Sequence, residues 1–210
     1  MPGSTLVIQT PSDFDLARDV CSYGYFVLLP NYWDVKNQSL SRVLEFDDAP
    51  SACVIDQRSD GALRARFDRK LTREEQQSAR EQITRMLSLD LDSKDIKAFH
   101  TLDPRWKKYG RARLFRSPTL FEDVIKTVTS CNVAWPNTVN MNRRLCEVCG
   151  AERIWRVLVP ERQEARADTR GDLARALPGG VPRSADGGSR EDVRAPRDRR
   201  GLVEQSQHPR

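Results

Sequence analysis

Between residues 52 and 87 the hydrophobic period of the chain changes from two to that of a helix, and this change restricts the fold more than any other feature. Ala52-Cys53-Val54-Ile55-Asp56 leads to a turn at Ser59-Asp60-Gly61, after which Leu63, Ala65 and Phe67 alternate with Arg64, Arg66 and Asp68. Alternation on both sides of an Asp-Gly turn predicts a β-hairpin, because Gly tolerates the positive φ that such turns need. Just beyond, Thr72 and Glu75 form a capping box, and Ala79, Ile83, Met86 and Leu87 follow at helical spacing. Upstream, Asp13 is placed to cap a short helix carrying Leu16 and Val20, while Tyr23 to Leu29 and Leu40 to Phe46 are further strand candidates with aromatic and β-branched content. Residues 1–90 are therefore expected to form a small α+β unit built on an antiparallel sheet.

Residues 91–150 carry helical punctuation instead. Ile96 and Phe99 share one short helix, followed by the basic connector Arg105-Trp106-Lys107-Lys108-Tyr109-Gly110-Arg111. Ser117 can cap a helix with Pro118 in its first position, Glu122 and Asp123 in its first turn, and Leu120, Phe121, Val124, Ile125 and Val128 on one apolar face. A second helix is expected from Trp135-Pro136, burying Met141, Leu145 and Val148 and stopping at Gly150. Together they predict a helical hairpin.

Residues 151–210 differ again, holding 13 of the 28 arginines and none of the 7 lysines. Apart from Ile154-Trp155-Arg156-Val157-Leu158-Val159 this stretch has no sustained apolar run, so its burial is too small to offset ordering entropy and a disordered tail is expected. Its composition is also what out-of-frame reading of a GC-rich gene yields, and a native disordered tail is the alternative. The whole chain has a formal charge of +5 and a pI near 9.1, which favours an anionic partner such as nucleic acid. The first twenty residues lack the pattern of an export signal and no stretch is apolar enough to span a bilayer, so no membrane partner and a cytoplasmic location are expected, at the nucleoid in a bacterium. Five scattered cysteines are expected to stay reduced. No cofactor and no obligate protein partner are implied.

The run Leu114-Phe115-Arg116-Ser117-Pro118-Thr119-Leu120-Phe121-Glu122-Asp123-Val124-Ile125-Lys126-Thr127-Val128-Thr129-Ser130-Cys131-Asn132-Val133-Ala134-Trp135 resembles the opening helices of the helix-hairpin-helix DNA glycosylases, in particular bacterial relatives of the 3-methyladenine and 8-oxoguanine enzymes. Asp13-Phe14-Asp15-Leu16 and Tyr32-Trp33-Asp34 similarly resemble the start of the small sheet domain that precedes those helices. The resemblance covers residues 10 to 150. It implies base-excision repair, in which a damaged base in double-stranded DNA is flipped into a pocket and its N-glycosidic bond is cleaved through an oxocarbenium-like transition state. Such a site needs a carboxylate, and some members add a lysine nucleophile. Both depend on later helices, where a Leu-Pro-Gly-Val-Gly hairpin binds phosphate and a catalytic aspartate follows.

This chain departs from the pattern there. Leu177-Pro178-Gly179-Gly180-Val181-Pro182 has the glycines in the wrong order, and residues 183–195 lack an apolar face for the second helix of the motif, with Asp192 and Asp198 beyond. No catalytic residue is assigned, and the chain is expected to be inactive as a glycosylase, with its helical catalytic domain cut short. Its fold class is expected to be α+β: a small antiparallel sheet domain (1–90), the first helices of a glycosylase domain (91–150) and a disordered arginine-rich tail (151–210). A non-enzymatic protein that holds DNA by charge and an unstable fragment are the alternatives.

By the resemblance, Asn132 is the residue that enters the space left by a flipped base; as a helix terminator it needs no such role. Asn137, Asn142, Arg143 and Arg144 offer a polar helix face that can meet phosphates, and Lys107, Lys108, Arg111, Arg113 and Arg116, interleaved with Trp106 and Tyr109, form the best phosphate patch. The DNA-binding set is thus Asn132, Asn137, Arg143, Arg144, Lys107, Lys108, Arg113 and Arg116. Trp135 reads more readily as core than as a stacking platform. Cys146 and Cys149 make a C-x-x-C without companion ligands, and His100 has no catalytic partner in sequence, so no metal site is expected.

Overall fold

The computed structural model describes residues 3–107, 110 and 112–148. Five strands form one antiparallel sheet: β1 (Thr5–Ile8), β2 (Tyr32–Asp34), β3 (Ser39–Leu44), β4 (Ser51–Gln57) and β5 (Leu63–Phe67), in the order β1-β5-β4-β3-β2. The expected hairpin is β4–β5, registered by Ile55 opposite Ala65 and Asp56 opposite Arg64. Period two holds along β5: Leu63, Ala65 and Phe67 are buried while Arg64 and Arg66 are exposed, and both arginines reach Asp56, at 3.0 and 2.6 Å. β3 is buried along its whole length, on both faces, its serines and Arg42 included.

Six helices follow the chain: α1 (Leu16–Val20), α2 (Arg73–Leu87), α3 (Ser93–Leu102), α4 (Pro104–Lys107), α5 (Leu120–Ser130) and α6 (Trp135–Val148). The capping box on α2 forms as read: the Glu75 amide donates to the Thr72 hydroxyl at 3.2 Å and the Thr72 amide to the Glu75 carboxylate at 2.9 Å. Arg69 pairs with the same carboxylate. Ala79, Ile83, Met86 and Leu87 are buried against the sheet in a core that runs from Leu6 through Leu28, Leu40 and Ile55 to Phe115.

Four local expectations are corrected. Tyr23 to Leu29 is not a strand; Gly24–Val27 forms a 3-10 turn, closed by the Leu28 amide donating to the Tyr25 carbonyl at 3.0 Å. Burial of Tyr25 and Phe26 against the core overrides β-propensity there. Asp15, not Asp13, caps α1, accepting from the Arg18 amide at 2.7 Å. Thr119 caps α5, accepting from the Glu122 amide, so Ser117 and Pro118 precede the helix; the Ser117 amide donates to Asp123 at 2.7 Å instead.

The fourth correction is larger. Leu120, Phe121, Val124 and Val128 do line one face of α5, but that face is exposed, and on α6 Leu145 and Val148 are exposed as well, with Met141 half-buried. The buried residues of these two helices are polar: Lys126, Thr138 and Asn142. Charged and hydrogen-bonding groups seat the hairpin, for reasons the next section sets out.

Candidate nucleic-acid interface

α5 rests on the sheet through a buried cluster of charges. Arg42, on fully buried β3, is 2% exposed and donates to the Val43 carbonyl (3.1 Å), Asn31 Oδ1 (2.8 Å) and Glu122 Oε2 (2.9 Å). Lys126, 1% exposed and one helical turn from Glu122, donates to the other carboxylate oxygen at 2.6 Å. Glu122 thus bridges a strand cation and a helix cation, and its geometry allows each oxygen one charge-assisted bond. Burial works against ionising Glu122, but Arg42 and Lys126 outweigh it and hold the carboxyl at about 2. Burial lowers the Lys126 ammonium from its ordinary value, against the pull of Glu122. One residue along, Asp123 takes Arg85 at 2.7 Å, fastening the same first turn of α5 to α2. Toward the far end of α5, the Tyr25 and Thr127 hydroxyls share a hydrogen bond of 3.0 Å.

α6 closes against α5 through short polar side chains. The Thr138 hydroxyl donates to the Thr129 carbonyl at 3.0 Å, and Asn142 Nδ2 donates to the Thr129 hydroxyl and the Thr138 carbonyl, both at 2.9 Å. Trp135, at the start of α6, lies over Gly24, where a Cβ would sit 3.2 Å from its ring, and with Val139 it packs against the main core. Trp135 is a packing residue here.

The loop between these helices presents Asn132 outward. It is exposed and left-handed, with φ of 54°, directly after the Cys131 end of α5. Asn is among the few residues that adopt this conformation at little cost, so the helix-terminating role is met in full. Its side chain remains open to a partner at the tip of the hairpin. Asn137, Arg143 and Arg144 are all exposed on α6; Arg143 pairs with Glu147 at 3.0 Å, and Arg144 falls on the same side as Asn137 two turns earlier. Lys107 is exposed at the end of α4 and Arg116 is half-buried on the approach to α5, while Lys108 and Arg111 lie outside the described residues.

Arg113, an expected phosphate contact, is enclosed by the protein. It is 2% exposed and donates to the Ser88 carbonyl (2.6 Å), the Leu91 carbonyl (3.1 Å) and Asp13 (3.2 Å), so it ties the ends of α2 and α1 together. Burial opposes ionisation of Asp13 and the Arg113 guanidinium reverses this, holding its carboxyl below the usual range. Asn142, likewise read as a surface contact, is buried in the hairpin seam. Arg42, Glu122 and Lys126 escaped sequence reading because a charge inside an apolar strand and an i,i+4 charge pair each have ordinary surface explanations.

The C-x-x-C is half outside the described residues, with Cys146 half-buried on α6 and Cys149 beyond them. His100 is half-buried beside Phe99, ring centroids 5.9 Å apart. Among the described residues no three His, Cys, Asp or Glu stand close enough to hold a metal ion, and no helix is long and apolar enough to cross a membrane. The tail and its Leu177–Pro182 segment lie outside the described residues.

No family model matches the chain, and no curated protein matches it in sequence. Among solved structures it is similar to a 3-methyladenine DNA-glycosylase from Archaeoglobus fulgidus, with a TM-score of 0.51 and 12% identity over 66% of this chain and 48% of that one. The chain therefore spans about half the length of that structure, and what the two share, at this identity, is a distantly glycosylase-like fold.

Proposed function

We propose that the chain is a base-excision glycosylase-like protein that holds double-stranded DNA at the α5–α6 hairpin, acting in the cytoplasm and, in a bacterium, at the nucleoid. The observation that carries this reading is the fold likeness to a 3-methyladenine DNA-glycosylase, which extends over 66% of this chain. Asn132 is the residue that reaches toward the duplex, and Asn137, Arg143, Arg144, Lys107, Lys108 and Arg116 meet phosphates. The ancestral reaction is hydrolysis of the N-glycosidic bond of a damaged base, and this chain does not perform it. No residue with the spacing of the catalytic aspartate follows a phosphate-binding hairpin in its sequence.

Fluorescence anisotropy with a duplex carrying an abasic-site analogue tests the binding half of this reading. Binding should weaken steeply with salt, and Arg144→Ala should lower the slope of log K against log salt by about 1, as loss of one phosphate contact does. The same duplexes bearing alkylated or 8-oxoguanine bases should show no base release. Absence of salt-dependent binding sinks the proposal, and base release sinks the inactive part of it. A second reading is favoured by the 13 arginines after residue 150: DNA held by charge alone through that segment. It requires binding to collapse when residues 151–210 are removed and to ignore the Arg144 substitution.

A further inference from the structure

Every charged side chain of α5 is engaged by the body of the protein. Glu122 pairs with Arg42 and Lys126, and Asp123 pairs with Arg85. The residues that α5 exposes are Leu120, Phe121, Val124, Thr127 and Val128, none of them charged, and the four apolar ones are 68, 74, 48 and 64% exposed. By helical geometry those four fall within an arc of about 100°, with the buried Lys126 on the opposite side of the helix. Large apolar side chains gathered on one side of a folded unit mark a contact surface.

Charge and spacing select the partner. A face without cations offers phosphates no counter-charge, so nucleic acid does not fit it. Along the helix the face is symmetric: Phe121 and Val128 lie two turns apart on nearly the same line, with Val124 about midway between them. Two copies of α5 laid antiparallel therefore set Phe121 of each against Val128 of the other, with Val124 meeting Val124 on the two-fold axis. A closed two-fold contact requires this kind of self-complementary patch. Each copy carries a formal charge of +5, so copies repel one another, and an uncharged stripe is where they can approach. The size of the face sets the strength. Four apolar side chains fall far short of the roughly 20–30 residues a side of a stable interface, so the pairing is weak and reversible.

We propose that α5 pairs antiparallel with α5 of a second copy of this chain, through Phe121, Val124 and Val128, as a weak, concentration-dependent dimer. The contact uses none of the residues assigned to DNA.

Sedimentation equilibrium of the full chain from about 10 μM to about 1 mM, the range in which a weak contact shows, tests this. The average mass should rise with concentration from 24.0 kDa toward twice that value. It should rise further as salt increases, because salt screens the repulsion between copies. Phe121→Asp and Val128→Lys each place a charge at the end of α5 that favours it, and each alone should leave a monomer whose thermal melt matches the parent's. Mixed in equal parts, the two variants should dimerise again. The antiparallel register sets the new carboxylate beside the new ammonium and leaves the other half of the contact as in the parent. A parent chain that is monomeric at every concentration overturns the proposal, as does a dimer that survives both substitutions or dissociates as salt rises. A mixture that stays monomeric overturns the antiparallel register. If one variant loses its melt, it has unfolded, and the parent and the other variant decide.

Discussion

The sheet and the helical hairpin bury opposite kinds of surface. Where α2 meets the sheet, Ala79, Ile83, Met86 and Leu87 share one apolar core cluster with Leu40 and Ile55, all fully enclosed. Where α5 meets the same sheet, the contact is Glu122 and Lys126 on Arg42, and the apolar residues of the helix face away. The first contact is held by burial of apolar area, which is non-directional and tolerant of small shifts. The second is held by paired charges, which hold only in one geometry and lose their value when one partner is removed. The difference teaches that α5 is placed in register by the charge cluster, while its apolar face is turned to solvent.

The sharpest way to break this comparison is Glu122→Ala. It leaves Arg42 and Lys126 buried together without an anion, and denaturant unfolding should show a loss of about 3–5 kcal/mol. A loss below about 1 kcal/mol would mean that the cluster is solvated and α5 is held otherwise. Acid probes the same link without mutation. Because the Glu122 carboxyl sits at about 2 when folded against 4.5 when free, its contribution is fully present above pH 4.5 and is lost as pH falls toward 2. The shift corresponds to about 3 kcal/mol, so thermal melts should fall across that window in the parent and fall less in Glu122→Gln. On the apolar side of the comparison, Thr72→Ala removes the cap of α2 and should cost about 1 kcal/mol by denaturant unfolding. The smallest effect is expected at Phe121. Although it is a large apolar residue, Phe121→Ser should change global stability by no more than about 0.5 kcal/mol, since the side chain is 74% exposed in the folded unit.

Most elements were legible in the sequence, and for identifiable reasons. The β4–β5 hairpin, the capping box at Thr72 and the buried face of α2 all follow from local signals that agree with their tertiary setting. The 3-10 turn at Gly24–Val27 was not legible, because its aromatics are placed by contact with a core assembled from distant residues. The candidate interface divides the same way. Asn132 was singled out at the hairpin junction by the resemblance and lies there, after the end of α5, whereas Arg113 reads as one more cation of a basic connector until its bonds to Ser88, Leu91 and Asp13 are seen.

By itself the sequence determined the periods of the segments: which residues alternate, which recur at helical spacing, where α2 begins and where the two helices of the hairpin meet. Those properties reside in neighbours along the chain, where propensity, capping and turn chemistry act. Only the tertiary structure decided which face of each helix turns inward. Periodicity shows that α5 has an apolar stripe and a charged stripe, but the inward one is set by what waits on the sheet. There Arg42, already buried and short of an anion, makes Glu122 worth more inside than Phe121.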